Sequence, residues 1–187
     1  MKKIAIILAN EINDIELFVP LTIWRKAKLV VDLISIEKKN SIMTESGVKV
    51  GCNSTFDIVN TTQYHGLYIP GGKGVDRFFT QNWPVKNVAG PTKLFKTLET
   101  FRLEKNKAIL LTAGSSSILD HYKLIGKTRL AGFDKEYNRD ENIKEEIVLT
   151  PNLISVIGYW QLSEFALQVV DKFCGKEISK EIEASLI

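Results

Sequence analysis

The chain has 187 residues, 44% of them hydrophobic and 25% charged, a balance that suits a globular domain with a full core and excludes disordered, collagen-like and coiled-coil chains. Its 25 Lys and Arg against 22 Asp and Glu give a formal charge of +3, spread along the chain without the basic stripe of a dedicated nucleic-acid binder. Two cysteines, Cys52 and Cys174, with no C-x-x-C pair and no ligand-like spacing about His65 or His121, argue against a disulfide scaffold and a zinc site.

Lys2 and Lys3 before Ile4–Ala9 have the outline of a signal peptide, but the apolar run is short and Glu11 and Asp14 follow at once, so the segment reads as a buried first strand. No stretch approaches the roughly 20 apolar residues of a membrane span. A soluble, cytoplasmic protein is expected, with no membrane or nucleic acid among its partners. Further aliphatic runs at 29–36, 66–70, 108–112, 147–150 and 153–157 alternate with amphipathic stretches, the pattern of parallel strands covered on both faces by crossover helices.

Between the first two runs the sequence predicts a helix capped by Asp14, with Ile15, Phe18, Val19 and Ile23 on one side and a kink or late start at Pro20. Residues 48–59 carry Gly47, Gly51 and Asn53 at or near short apolar pieces and suggest an excursion of small strands. Pro84 and Pro91 read as first-turn prolines, the second opening a helix over 92–103 with Leu94, Phe95, Leu98 and Phe101 at helical spacing. After Thr112 a tight turn, Ala113-Gly114-Ser115-Ser116-Ser117, leads into a helix containing Ile118, Leu119, Tyr122 and Leu124. The segment 134–146, with six acids and three bases, reads as a solvated loop or surface helix. A last helix aligns Leu162, Phe165, Ala166, Val169, Val170, Phe173 and Cys174, making Cys174 a packed thiol, and Gly175 stops it. One domain is expected, since neither repeat nor linker is evident.

In an open parallel sheet, sites form at the carboxyl ends of the strands. Three segments should converge there: 10–16, Pro70-Gly71-Gly72-Lys73-Gly74, and 111–116. The glycine pair suits a backbone that exposes amides to an oxyanion or phosphate. It is no P-loop, because Gly74 follows Lys73 and Leu67 stands where the leading glycine belongs. Leu111-Thr112-Ala113-Gly114-Ser115 has the build of a nucleophile elbow with Thr112 at the apex of a strained strand-to-helix turn, yet a threonine hydroxyl without a strong base attacks poorly. Ser115, Ser116 and Ser117 read as first-turn caps, and Glu16 is directed by topology toward the same edge.

Together, Ile4–Ala9 with Glu16 and Pro20, then Gly66-Leu67-Tyr68-Ile69-Pro70-Gly71-Gly72, the elbow at 111–115 and Leu124-Ile125-Gly126-Lys127, resemble the DJ-1/PfpI (ThiJ) superfamily. Asn152-Leu153-Ile154-Ser155-Val156-Ile157-Gly158, Glu164-Phe165-Ala166-Leu167 and Phe173-Cys174-Gly175-Lys176-Glu177 look like its isonitrile-hydratase-like branch. The resemblance implies a flavodoxin-like α/β sandwich, usually a homodimer, with a reactive elbow cysteine held by an acid and activities such as glyoxalase, deglycase, isonitrile hydratase or amidase. It puts the acid at Glu16 and the backbone donors at Gly71, Gly72 and Ala113. The elbow cysteine aligns with Thr112, the histidine that follows it in the PfpI branch with Ala113, and the later DJ-1 histidine falls within Leu130-Ala131-Gly132-Phe133. Thiolate chemistry is therefore not carried over.

Two functions follow from this reading. One is a small-molecule binder or regulator that keeps the pocket of Glu16, Gly71, Gly72 and Gly114 without the nucleophile. The other is a hydrolase, hydratase or glyoxalase-type enzyme using Glu16 with Thr112 or an activated water. Neither calls for a metal or cofactor.

Overall fold

The structure, a computed structural model, describes residues 1–82, 92–121, 123–126, 128–131 and 146–186. The strands are β1 (Lys3–Leu8), β2 (Val30–Ser35), β3 (Ser41–Met43), β4 (Lys49–Gly51), β5 (Ser54–Thr55), β6 (Gly66–Ile69), β7 (Ala108–Thr112), β8 (Ile147–Leu149) and β9 (Leu153–Val156). The helices are α1 (Asp14–Lys26), α2 (Lys73–Asn82), α3 (Thr92–Leu103), α4 (Ala113–His121), α5 (Leu162–Cys174) and α6 (Lys176–Ala184). Seven strands form one sheet in the order β5-β2-β1-β6-β7-β9-β8, parallel except for β8, while β3 and β4 make a separate antiparallel hairpin. This is an α/β fold of flavodoxin-like kind.

The period of two in β1 sorts its side chains between two cores. Ile4, Ile6 and Leu8 join Leu17, Leu21 and Trp24 of α1 and Phe165, Ala166 and Val169 of α5 on one face. Ala5, Ile7 and Ala9 join Val75 and Phe79 of α2, Leu94, Leu98 and Phe101 of α3, and Leu119 of α4 on the other. Burial on both sides is why these strands read as unbroken aliphatic runs.

Helix α1 differs from its sequence reading in three respects. Its N-cap is Asn13, whose side-chain oxygen accepts from the amides of Ile15 and Glu16, whereas Asp14 is the first helical residue and bonds Ser46. The buried face carries Glu16, Leu17, Pro20, Leu21, Ile23 and Trp24, leaving Ile15 and Phe18 exposed. Pro20 lies inside the helix as read, but the helix begins at Asp14, so of the two expectations the late start is overturned. A proline there deprives the carbonyl four residues back, that of Glu16, of its donor. The buried Tyr68 hydroxyl supplies one instead, at 2.7 Å.

Gly175, with φ of 94°, ends α5 as expected, and the short helix α6 that follows it is an addition to the sequence reading. Cys174 is half-buried against the core. Pro84, Pro91, Tyr122 and 134–145 lie outside the described residues. Among the described residues no helix is long and apolar enough to cross a membrane.

Candidate functional site

The chain runs from β1 to β2 on one side of the sheet and later to β6 on the other side of β1. Such a change of direction opens a crevice at the strand carboxyl ends. The three expected segments meet there. Helix α1 delivers Glu16 in its first turn, β6 delivers Gly71 and Gly72, and β7 delivers Thr112.

These residues form a closed hydrogen-bonded triangle. Gly71 N donates to Glu16 Oε2 at 2.5 Å and lies 2.9 Å from Thr112 Oγ, while the Thr112 hydroxyl donates to Glu16 Oε2 in a very short contact. The Gly71 carbonyl accepts from Asn13 N, so this glycine's polar groups are spent within the site. Thr112 is 1% exposed and Glu16 7%. Among the described non-glycine residues, positive φ occurs at Glu11, Lys28 and Lys123; Thr112 makes the strand-to-helix turn without it, paired to Val156. A β-branched side chain fits that choice, since the left-handed region is most costly for it.

Gly72 holds φ of 126°, and a Cβ there would lie 2.6 Å from the Glu11 carbonyl and 2.7 Å from Asn13 N, so the backbone crosses too closely for any side chain. Gly114 faces Gly71 across the crevice, and Ala113 opens α4, where first-turn amides have no intrahelical acceptor. Ser115 serves both as a first-turn cap and as a stitch: its hydroxyl accepts from Thr112 N at 3.1 Å, just before α4, and lies 2.5 Å from the Ile69 carbonyl.

Over Glu16 lies a cavity of about 340 Å³ edged by Asn13, Glu45, Gly72, Gly114, Ile157 and Tyr159. Glu45 and Tyr159 are additions to the residues that the sequence marks, while Asn13 lies in the marked segment 10–16 without being singled out there. Asn13 donates to Glu45 Oε2 at 3.4 Å and to Tyr159 Oη at 2.9 Å. Glu45 arrives on the β3–β4 hairpin, which is fastened by Glu11 N to the Met43 carbonyl and Glu45 N to the Ile12 carbonyl, and it accepts from Lys73 N at the start of α2. Asn13 carries a signal in the sequence, a capping residue one position before Asp14; nothing local marks Glu45 or Tyr159. Among the described residues no group of three or more His, Cys, Asp and Glu could hold a metal ion.

Burial raises the Glu16 pKa above its ordinary 4.5; the hydrogen bonds from Thr112 and Gly71 oppose the rise and the charge of Glu45 adds to it. An acid raised on folding binds its proton more tightly in the folded state, so its contribution to stability is full below the ordinary value and is lost as the pH climbs through the raised one. Wild type is therefore expected to lose melting temperature relative to Glu16→Gln as the pH rises from 4.5. Parallel melting curves across that window would show that burial does not hold the proton.

Comparison with known proteins gives the same frame. The DJ-1/PfpI family model matches residues 2–172. An uncharacterized protein of Mycoplasma pneumoniae is 30% identical over 96% of this chain and 85% of its own length. A mutant of a Salmonella typhimurium DJ-1 superfamily protein superposes with a TM-score of 0.84 at 19% identity, covering 100% of this chain and 98% of its own. Oxidized Toxoplasma gondii DJ-1 superposes with a TM-score of 0.80 at 21% identity, again over 100% and 98%. At those identities the structural likeness speaks for the fold alone.

Proposed function

We propose, from the premise that this chain belongs to the DJ-1/PfpI family, that it is a small-molecule-binding or regulatory member with little thiol-type catalysis. The observation that carries this reading is the state of Thr112. It stands where the resemblance puts the elbow cysteine, it is 1% exposed, and its hydroxyl both donates to Glu16 and lies 2.9 Å from the Gly71 amide. A hydroxyl so engaged, with a pKa far above that of a thiol, is a poor nucleophile. Glu16, Gly72 and Gly114 still edge a cavity of ligand size. Within the family we place the chain in the isonitrile-hydratase-like branch, on the likeness of 152–158, 164–167 and 173–177, as a cytoplasmic homodimer.

One contact favours a second reading. Thr112 Oγ is hydrogen-bonded to Glu16 Oε2, and an ionised Glu16 there is placed to take a proton from the hydroxyl or from a water, as a hydratase, hydrolase or glyoxalase-type enzyme requires. Consumption of methylglyoxal and of a simple isonitrile separates the two. Wild type is expected to stay at background and Thr112→Cys to gain measurable turnover. Wild-type turnover that disappears in Glu16→Gln establishes the enzyme instead.

A further inference from the structure

We propose that the cavity over Glu16 takes a small ammonium ligand, an inference that rests on its being a binding pocket. Both charged side chains among the described residues that edge it are carboxylates, Glu16 and Glu45. Arg77, on the neighbouring helix α2, is tied to Glu11 at 2.7 Å.

Glu16 offers an oxygen without a donor among the described residues. Its Oε2 takes the Gly71 amide and the Thr112 hydroxyl, whereas Oε1 accepts no hydrogen bond from the described residues. Glu16 is 7% exposed as a residue and its carboxyl edges the cavity, so few waters can serve that oxygen and a ligand N–H in the cavity can supply the missing donor. The other described side chains that edge the cavity do not provide the donor. Asn13 spends its amide protons on Glu45 and Tyr159, and its oxygen on the helix amides.

Glu45 stands at the mouth, held by Lys73 N and Asn13 Nδ2. A cation between the two carboxylates relieves their repulsion; an anion in the same place adds to it. Ile157 and the Tyr159 ring furnish an apolar wall for a short alkyl substituent. The geometry thus selects a charged nitrogen with a small hydrocarbon tail.

Calorimetric titration of wild type, Glu45→Gln and Glu45→Lys with propylammonium, propionate and 1-propanol tests this. Propylammonium is expected to saturate wild type, to bind Glu45→Gln about two- to fivefold more weakly, as befits loss of one exposed charge, and to be lost in Glu45→Lys. Propionate binding as tight as propylammonium, or propylammonium binding untouched in Glu45→Lys, overturns it. If propanol or propionate binds and propylammonium does not, the charge preference falls while the pocket stands. Silence from all three removes both.

Discussion

Gly74→Ala is expected to be the most destabilising of the glycine-to-alanine changes among the described residues. Gly74 lies in the first turn of α2, where a Cβ would stand 1.4 Å from the Asn10 carbonyl oxygen and 2.6 Å from its carbon. Asn10 has little freedom to retreat, because its amide is bonded to Glu37 and its side chain to Met43 N. Helix α2 must therefore swing away, dragging Gly72 from the crevice. The loss should exceed the roughly 1–3 kcal/mol typical of overpacking and lower the melting temperature by about 10 °C, at roughly 2–4 °C per kcal/mol for a chain this long. Gly51→Ala is the control, since nothing lies within 4 Å of a Cβ there. A Gly74→Ala melting temperature within a few degrees of wild type would refute the close crossing.

Tyr68→Phe is expected to remove about 1–3 kcal/mol, the cost of leaving a buried carbonyl without a donor. The ring itself stays packed, with Trp24 at 5.1 Å and Phe165 at 5.7 Å between centroids. What is lost is the hydroxyl that serves the Glu16 carbonyl in place of the missing Pro20 N–H. Pro20→Ala restores that N–H, so Tyr68→Phe should cost less in a Pro20→Ala background. A coupling of at least about 0.5 kcal/mol in the double-mutant cycle is expected. Strict additivity would mean that the two residues do not share the carbonyl.

The strands are legible in the sequence because burial on both faces writes itself as aliphatic runs, and α3 because Leu94, Leu98 and Phe101 keep a helical period. The buried side of α1 is not, since Ile15 and Phe18 are apolar yet exposed, while an acid, Glu16, turns inward to meet groups 55 and 96 positions away. Helix α2 begins at Lys73-Gly74, which looks like the remainder of a turn, and only its contact with Asn10 explains the glycine. At the site, Glu16, Gly71 and Thr112 can be placed because each ends or follows a central strand. Glu45 and Tyr159 cannot, because a hairpin and the segment after β9 bring them in, and such contacts leave no local periodicity.

The presence of Thr112 at the end of β7 has a consequence for oxidative chemistry. Peroxide attacks thiolates, stepping them from sulfenic to sulfinic and sulfonic acid. Thr112 contains no sulfur, and the two cysteines that the chain does have are kept as thiols, Cys52 by burial that pushes it up to about 11 and Cys174 by burial in the same direction. The crevice thus keeps its composition in a medium that would progressively convert a thiolate there, and on the proposed function its occupancy would answer to protons and ligands.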